Sequence, residues 1–244
     1  DDGSFYMRID YHFGHYMKIL LDEIFGKGNF RNEIVINRFK KKSDTFTTVT
    51  ESIYFYTKTG NFSFNKISRP RICTFCKQPI KAKWHTMSSP GEGKPSVILG
   101  EKMYPPKGRH WTYNQENIHK MEQEGRIQIN KNLSYTDTQG RKVKGMPEYK
   151  ESEEQICDSN WTDIFGYKFG AEYPTENSEE LLERIIRAGT DGESDIVLDA
   201  FAGSGTTGAV AEKLKRRWIM IDSSKYSLYT MIKRLLNLRE KIGN

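Results

Sequence analysis

The chain has 244 residues, 38 Lys+Arg against 32 Asp+Glu, and a formal net charge of +6, with a sequence pI near 9.0. Apolar residues make up 36% and aromatics 12%, and a chain this long buries roughly 70–75% of its unfolded surface, which excludes disorder throughout. No run of about 18 apolar residues occurs, and the opening DDGSFYMRID has no basic stretch ahead of an apolar one, so neither a membrane span nor a secretory leader is expected. Cys73, Cys76 and Cys157 are an odd set that fits a reducing compartment better than a disulfide framework. A soluble, cytoplasmic protein is the expectation.

The charge is uneven. Between Asn61 and Lys150 there are 17 Lys+Arg and 7 Asp+Glu, a net of +10, leaving −4 for the remainder. This asymmetry points to a nucleic-acid-facing module set into a near-neutral scaffold; a solvated lysine-rich face is the alternative.

In chain order, Ser4–Ile9 alternates and is aromatic-rich, predicting a strand, and Tyr16, Met17, Leu20, Leu21 and Ile24 recur at helical spacing. Gly26 and Gly28 close that helix. Glu33–Asn37 and Ser52–Thr57 predict a β-hairpin around a long basic loop holding Lys40, Lys41 and Lys42. From residue 61 to 160 regular period is lost, and seven of the eight prolines fall there. This predicts an irregular insert with one short helical pattern over Tyr113–Gly125 and a strand over Arg126–Asn130. Beyond Trp161, Asn177–Ser178 offer an N-cap for a helix Glu179–Ala188 with Leu181, Leu182, Ile185 and Ile186 inward, stopped by Gly189. Strand Asp195–Asp199, a glycine-bearing turn Phe201–Thr207, helix Gly208–Leu214 and buried strand Trp218–Asp222 then make a right-handed βαβ unit. A last helix spans Tyr226–Leu238.

The turn after Asp199 lies where parallel sheets bind ligands, at the carboxyl end of a strand and the start of a helix. Gly203 and Gly205 allow close approach and positive φ. Asp222, at the end of the next strand, is placed to accept from both hydroxyls of a ribose. Gly203, Gly205 and Gly208 also satisfy G-x-G-x-x-G, so a nicotinamide-dependent oxidoreductase competes, but Asp199 and Phe201 precede the first glycine and only 22 residues follow Asp222, few for the further strands of a dinucleotide fold. A packing turn without a ligand is the third reading.

The stretch IVLDAFAGSGTTGAVAEKLKRRWIMID resembles the cofactor motif of S-adenosylmethionine-dependent DNA amino-methyltransferases. Tyr173-Pro174-Thr175 followed by Leu181–Ile186 resembles the family's Y-P-T-Q-K-P…LLERII segment, and Gly3–Ile36 its segment downstream of the catalytic motif. KGRHW (Lys107–Trp111) and WTDIF (Trp161–Phe165) are similar too. The order is that of the β-class: catalytic half, target-recognition insert, cofactor half.

The resemblance implies an α/β fold, a Rossmann-like methyltransferase sheet built from residues 1–60 and 161–244, with an irregular α+β target-recognition insert at 61–160. It implies methyl transfer from S-adenosylmethionine to the exocyclic amine of a flipped base in double-stranded DNA, adenine N6 in preference to cytosine N4, with a catalytically inactive DNA-binding partner as the alternative. The cofactor residues it implies are Asp199, Phe201, Ala202, Gly203, Ser204, Gly205, Thr206, Asp222 and Thr175. A restriction subunit, a second methyltransferase chain or a homodimer are the partners to be expected, and no membrane.

This sequence departs from the family at two points. Glu176-Asn177-Ser178 stands where the commoner form has Gln-Lys-Pro, so the lysine that helps hold the cofactor carboxylate is not there. The family's Asp/Ser/Asn-Pro-Pro-aromatic motif, which accepts the amine's hydrogens and stacks on the base, is also not found; Tyr104-Pro105-Pro106-Lys107 has neither its polar residue nor its aromatic. No catalytic residue is therefore assigned. In the family that motif follows a strand between the cofactor strand and the one at Ser4–Ile9, and a sheet without it leaves two inner edges unpaired. The polypeptide is expected to be incomplete at its N-terminus, or to receive this piece from another chain.

In the insert, Arg69, Arg71, Lys81, Lys83, Lys107 and Arg109, with Arg141, Lys142 and Lys144, are candidate phosphate contacts, interleaved with Trp84, Trp111 and Tyr113; Lys40, Lys41 and Lys42 join them. Cys73-x-x-Cys76 with His85 raises a zinc site, but no second pair stands at a recognisable spacing, since Cys157 or His110 would have to complete the set. No metal is assigned.

Overall fold

The structure, a computed structural model, describes residues 2–39, 44–73, 75–76, 78–171 and 173–238. The chain divides into two compact units, residues 1–68 with 156–244, and residues 69–155. The second unit is narrower than the expected 61–160 because the flanking residues pack with the first: Phe62 lies against the Ile34–Ile53–Trp161 core, and the Asn65 N–H donates to the Ala188 carbonyl at 2.9 Å.

In the first unit, a four-stranded sheet has the order Ser4–Ile9, Thr50–Thr57, Phe30–Asn37, Asn160–Phe165. The first three strands are antiparallel neighbours and the last pair is parallel. The predicted hairpin is thus present, extended to Phe30 and Thr50. The helix after the first strand runs Tyr11–Phe25: Asp10 caps it by accepting from the His12 N–H at 3.0 Å, Lys18 and Asp22 pair one turn apart at 2.7 Å, and Gly26 at φ 84° ends it.

A separate parallel pair joins Ile196–Asp199 to Arg217–Met220 in register Ile196↔Arg217, with the helix Thr206–Lys213 between them. This is the expected βαβ unit, each element a residue or two from its predicted bounds. The amphipathic helix Glu179–Gly189, capped by Ser178, belongs to both cores. Leu181 packs with Ile34, Ile36 and Ile53, while Ile186 packs with Val210 and Ala211. The strand Ile196–Asp199 is not fully buried as its apolar run suggests, because Ile196 and Leu198 on one face are exposed. A helix Lys225–Leu236 follows.

The second unit is more regular than its proline content implies. A long antiparallel hairpin pairs Ile127–Thr136 with Lys142–Lys150, and Trp84–Thr86 adds to its edge. Met87, Ile98, Trp111, Ile118, Met121, Ile127 and Met146 form a core of its own. The predicted helix is present as Gln115–Gln123, capped by Asn114, but the returning strand Lys142–Lys150 is not evident from period alone. Pro147 interrupts it in sequence yet sits within it, opposite Ile129. The Pro105–Pro106 pair lies alongside the end of the hairpin in this unit, with Pro106 bridged to Asp137 and the Pro105 carbonyl accepting from the Thr138 N–H at 3.0 Å.

Candidate active site

A cavity of about 230 Å³ in the first unit gathers residues far apart in sequence. Arg8, Ile9 and Asp10 come from the end of the first strand, and Glu51 from its neighbour. Tyr167, Tyr173, Thr175 and Asn177 come from the loop before the helix Glu179–Gly189. Phe201, Ala202, Gly203 and Ser204 come from the glycine turn. Five of the nine predicted cofactor residues, Thr175 and Phe201 through Ser204, therefore line one cavity.

The other four stand behind it. Asp199 accepts from the Phe201 N–H at 3.0 Å and from the Thr207 hydroxyl at 2.5 Å, which shapes the turn. Thr206 is buried, its hydroxyl 2.8 Å from that of Ser204. Gly205 has φ 75°, and a Cβ there would stand 2.6 Å from Met231 Cγ. Gly208 likewise lies hard against Met220. Both glycines serve packing; for Gly208 that is also what a dinucleotide fingerprint expects, but Gly205, which would approach the pyrophosphate there, packs on Met231 and does not line the cavity, which weakens the nicotinamide reading.

Asp222 lies outside the cavity lining. Its Oδ2 accepts from the Gly203 N–H at 2.8 Å and its Oδ1 from the Ser224 N–H at 2.9 Å. Those backbone donors, Ser224 first and then Gly203, hold its carboxyl below the usual range. The buried Ser227 hydroxyl donates to the Gly203 carbonyl at 2.5 Å, so the Gly203 peptide is pinned on both sides. Ser227 had no signal in the sequence beyond its place one turn into a helix.

The cavity's charge comes from residues that motif reasoning missed. Arg8 donates to Glu51 Oε2 through Nε at 2.8 Å, to the Gly166 carbonyl at 2.8 Å and to Asn177 Oδ1 at 2.5 Å. Its guanidinium lies 3.7 Å over the Tyr167 ring. Gly166 makes room for it, since a Cβ there would stand 2.5 Å from Arg8 Nη2. Glu51, buried to 5% exposure, also pairs with Arg38 at 3.4 Å, and Arg38 reaches Asp10 at 3.5 Å. The available signal was a lone arginine and a lone glutamate inside strands otherwise rich in apolar and aromatic residues.

Glu176 and Ser178, where the sequence departs from Gln-Lys-Pro, have structural roles. Glu176 is buried and pairs with Arg234 at 2.6 Å and Lys168 at 3.2 Å, and Ser178 caps the next helix. Thr175 is exposed, with φ 61°, and Tyr173 stacks on Tyr226 with ring centroids 5.4 Å apart.

Of the candidate phosphate contacts, Lys81, Lys83 and Lys107 are exposed. Arg71 is held by Glu151 and the Ser152 carbonyl, and Arg109 by the Ser88 hydroxyl and carbonyl at 2.9 and 2.6 Å, so both guanidiniums have internal partners; Arg69 is half-buried and also has an internal contact. Lys40, Lys41 and Lys42 lie outside the described residues. His85 Nε2 sits 2.8 Å from Glu151, and among the described residues no three His, Cys, Asp or Glu side chains gather as a metal would require. No helix among them is long and apolar enough to cross a membrane.

Comparison with known proteins places this geometry in a family. The chain is 30% identical over 260 residues to the Type II methyltransferase M.EcaI of Enterobacter cloacae, covering all of this chain and 55% of that protein. It is 27% identical over 235 residues to the StyLTI Mod subunit, a Type III restriction-modification enzyme of Salmonella typhimurium, covering 85% of this chain and 34% of that one. It thus spans about half the length of the first of these relatives and a third of the second. Among solved structures, the fold is similar to the PvuII DNA methyltransferase described as cytosine-N4-specific, with a TM-score of 0.50 and 15% identity over 98% of this chain and 66% of that one. The DNA methylase family model of N6 and N4 methyltransferases matches residues 1–233, and the chain belongs to that family.

Proposed function

We propose that the protein transfers a methyl group from S-adenosylmethionine to the exocyclic amine of a base flipped out of double-stranded DNA, and that the base is adenine, methylated at N6. The observation that carries this reading is the single cavity where the Phe201–Ser204 turn meets Tyr173 and Thr175 and the end of the first strand. Gly203 lines that cavity at φ 51°, a conformation glycine adopts freely, with its backbone open to close approach by a ligand. Bound there, S-adenosylmethionine supplies an electrophilic methyl group on a sulfonium. Phe201, Ala202, Gly203, Ser204 and Thr175 would hold its amino-acid and sulfonium end. Asp222 would accept from the ribose, each of its oxygens retaining a lone pair beyond the backbone N–H it already binds. Asp199, Gly205 and Thr206 keep the turn in shape. The chain's task is to hold the reactants in line, because an exocyclic amine is a weak nucleophile and positioning lowers the barrier most.

Adenine is favoured because the flanking segments resemble those of adenine enzymes. The basic second unit supports DNA as substrate, with Lys81, Lys83 and Lys107 on its exposed surface. A restriction subunit, a second methyltransferase chain or a second copy would be the partner, and a reaction on chromosomal DNA fits a cytoplasmic protein. Thermal-shift titration tests the cofactor assignment: S-adenosylhomocysteine raises Tm and NAD does not. The reverse would return the protein to the nicotinamide reading.

A further inference from the structure

Arg8 is the one cation among the residues that line the cavity. Its guanidinium lies over the Tyr167 ring, donates to Glu51 through Nε and Nη2, and gives both Nη1 hydrogens away, to the Gly166 carbonyl and to Asn177 Oδ1. That leaves a single N–H, on Nη2, unused. The charge is only partly cancelled, because Glu51 divides its carboxylate between Arg8 at 2.5 Å and Arg38 at 3.4 Å. Two guanidiniums and one carboxylate leave one positive charge on the trio. Asp10, beyond Arg38 at 3.5 Å, is held more closely by the His12 N–H at 3.0 Å.

Asn177 lines the same cavity from the other side of this contact. Its backbone is fixed: it is bridged antiparallel to Tyr167, and the next N–H, of Ser178, donates to the Gly166 carbonyl at 3.1 Å. An arginine can only donate, so the Asn177 atom that meets Arg8 must be the amide oxygen. The contact therefore sets the amide one way round and leaves its nitrogen on the other branch, away from Arg8. Among the described residues the two hydrogens on that nitrogen have no partner. Half-buried donors of this kind call for an acceptor, and the charge behind them selects an anionic one.

We propose that Asn177 and Arg8 form the subsite for the carboxylate at the amino-acid end of the cofactor. Asn177 Nδ2 donates to that carboxylate, and Arg8 orients the amide and supplies the positive charge. The inference rests on the S-adenosylmethionine reading above and deepens it. It also accounts for the departure at Glu176-Asn177-Ser178. The cation is retained but comes from the first strand, 169 residues away, while the position of the lysine carries a neutral donor. Gly166 is part of the arrangement, because a Cβ there would displace the Arg8 guanidinium. Asn177 and Arg8 act on binding and orientation, and neither takes part in the bond changes of methyl transfer.

The test is a binding cycle between one substitution and one missing ligand group, measured by calorimetry on the natural protein. Asn177→Asp keeps the size of the side chain and an oxygen for Arg8, so Tm should not fall. It removes the amide donor and sets a negative charge in the subsite. S-adenosylhomocysteine is expected to bind Asn177→Asp at least about tenfold more weakly than the unsubstituted protein. Decarboxylated S-adenosylhomocysteine, which keeps the amine, should bind the unsubstituted protein about tenfold more weakly than its parent and lose nothing further in Asn177→Asp. A merely structural tie between Arg8 and Asn177 would not distinguish the two ligands. If the unsubstituted protein binds S-adenosylhomocysteine and Asn177→Asp weakens both ligands alike, or neither, the subsite is overturned and the cofactor reading stands. Binding of neither ligand by the unsubstituted protein would overturn both.

Discussion

Arg8 Nη1 donates to Asn177 Oδ1 at 2.5 Å across 169 residues of sequence, tying the end of the first strand to the loop that carries Tyr173 and Thr175 into the cavity. The same guanidinium neutralises Glu51, which is buried at 5% exposure. Arg8→Ala removes the tie and leaves Glu51 with Arg38 alone, at a cost of about 3 kcal/mol. Urea unfolding should show this loss, and Arg8→Ala combined with Glu51→Gln should recover part of it, because the stranded charge is then gone.

Phe201 is 88% exposed beside the cavity, an aromatic that packs on nothing large. Phe201→Ala is expected to change stability by less than about 0.5 kcal/mol while weakening S-adenosylhomocysteine binding about tenfold. Isothermal titration calorimetry separates the two effects.

Gly205 and Gly203 differ in what a side chain would meet. At Gly205 the positive φ and the approach to Met231 act together, and Gly205→Ala should cost on the order of 2–4 kcal/mol. At Gly203 a Cβ makes only an ordinary 3.4 Å contact, so Gly203→Ala should cost about 1–2 kcal/mol, with cofactor affinity falling more than stability. Paired denaturation and binding curves for the two variants check the contrast.

Among the carboxyls held below their ordinary range are Asp222, by the backbone N–H groups of Ser224 and Gly203, and Asp191, by Ser63 and then Asn65. Each contributes stability that is complete above the unfolded pKa near 4 and is lost as pH falls through the lower folded value. The urea midpoint should hold from pH 7 to 5 and drop below 4. Asp222→Asn should flatten that drop.

The exposed Lys81, Lys83 and Lys107 should each contribute about one unit to the slope of log affinity for DNA against log salt. Arg109, tied to Ser88, should affect stability of the second unit instead. Fluorescence anisotropy at several salt concentrations, with Lys→Gln and Arg109→Gln variants, tells the two roles apart.

Much of this was legible in the sequence because it is local. The cap at Ser178, the glycine stop at Gly26 and the βαβ unit around Gly203 all follow from short-range spacing. What was not legible depends on residues meeting across the fold. Arg8, Glu51 and Asn177 share no spacing, and Ser227 reaches Gly203 only because the last helix turns back. The strand Lys142–Lys150 was hidden by Pro147 within it. Asp222, expected to face a ribose, pins the Gly203 peptide, a contact that no count of residues between them would suggest.

The most direct test of the account is transfer of an isotope-labelled methyl group from S-adenosylmethionine to double-stranded DNA by the natural protein, followed by hydrolysis and nucleoside analysis. The account predicts label in N6-methyladenine, reduced in Phe201→Ala and Gly203→Ala at limiting S-adenosylmethionine. Label in N4-methylcytosine would contradict the choice of base, and no label in DNA under conditions where S-adenosylhomocysteine binds would contradict the proposed reaction.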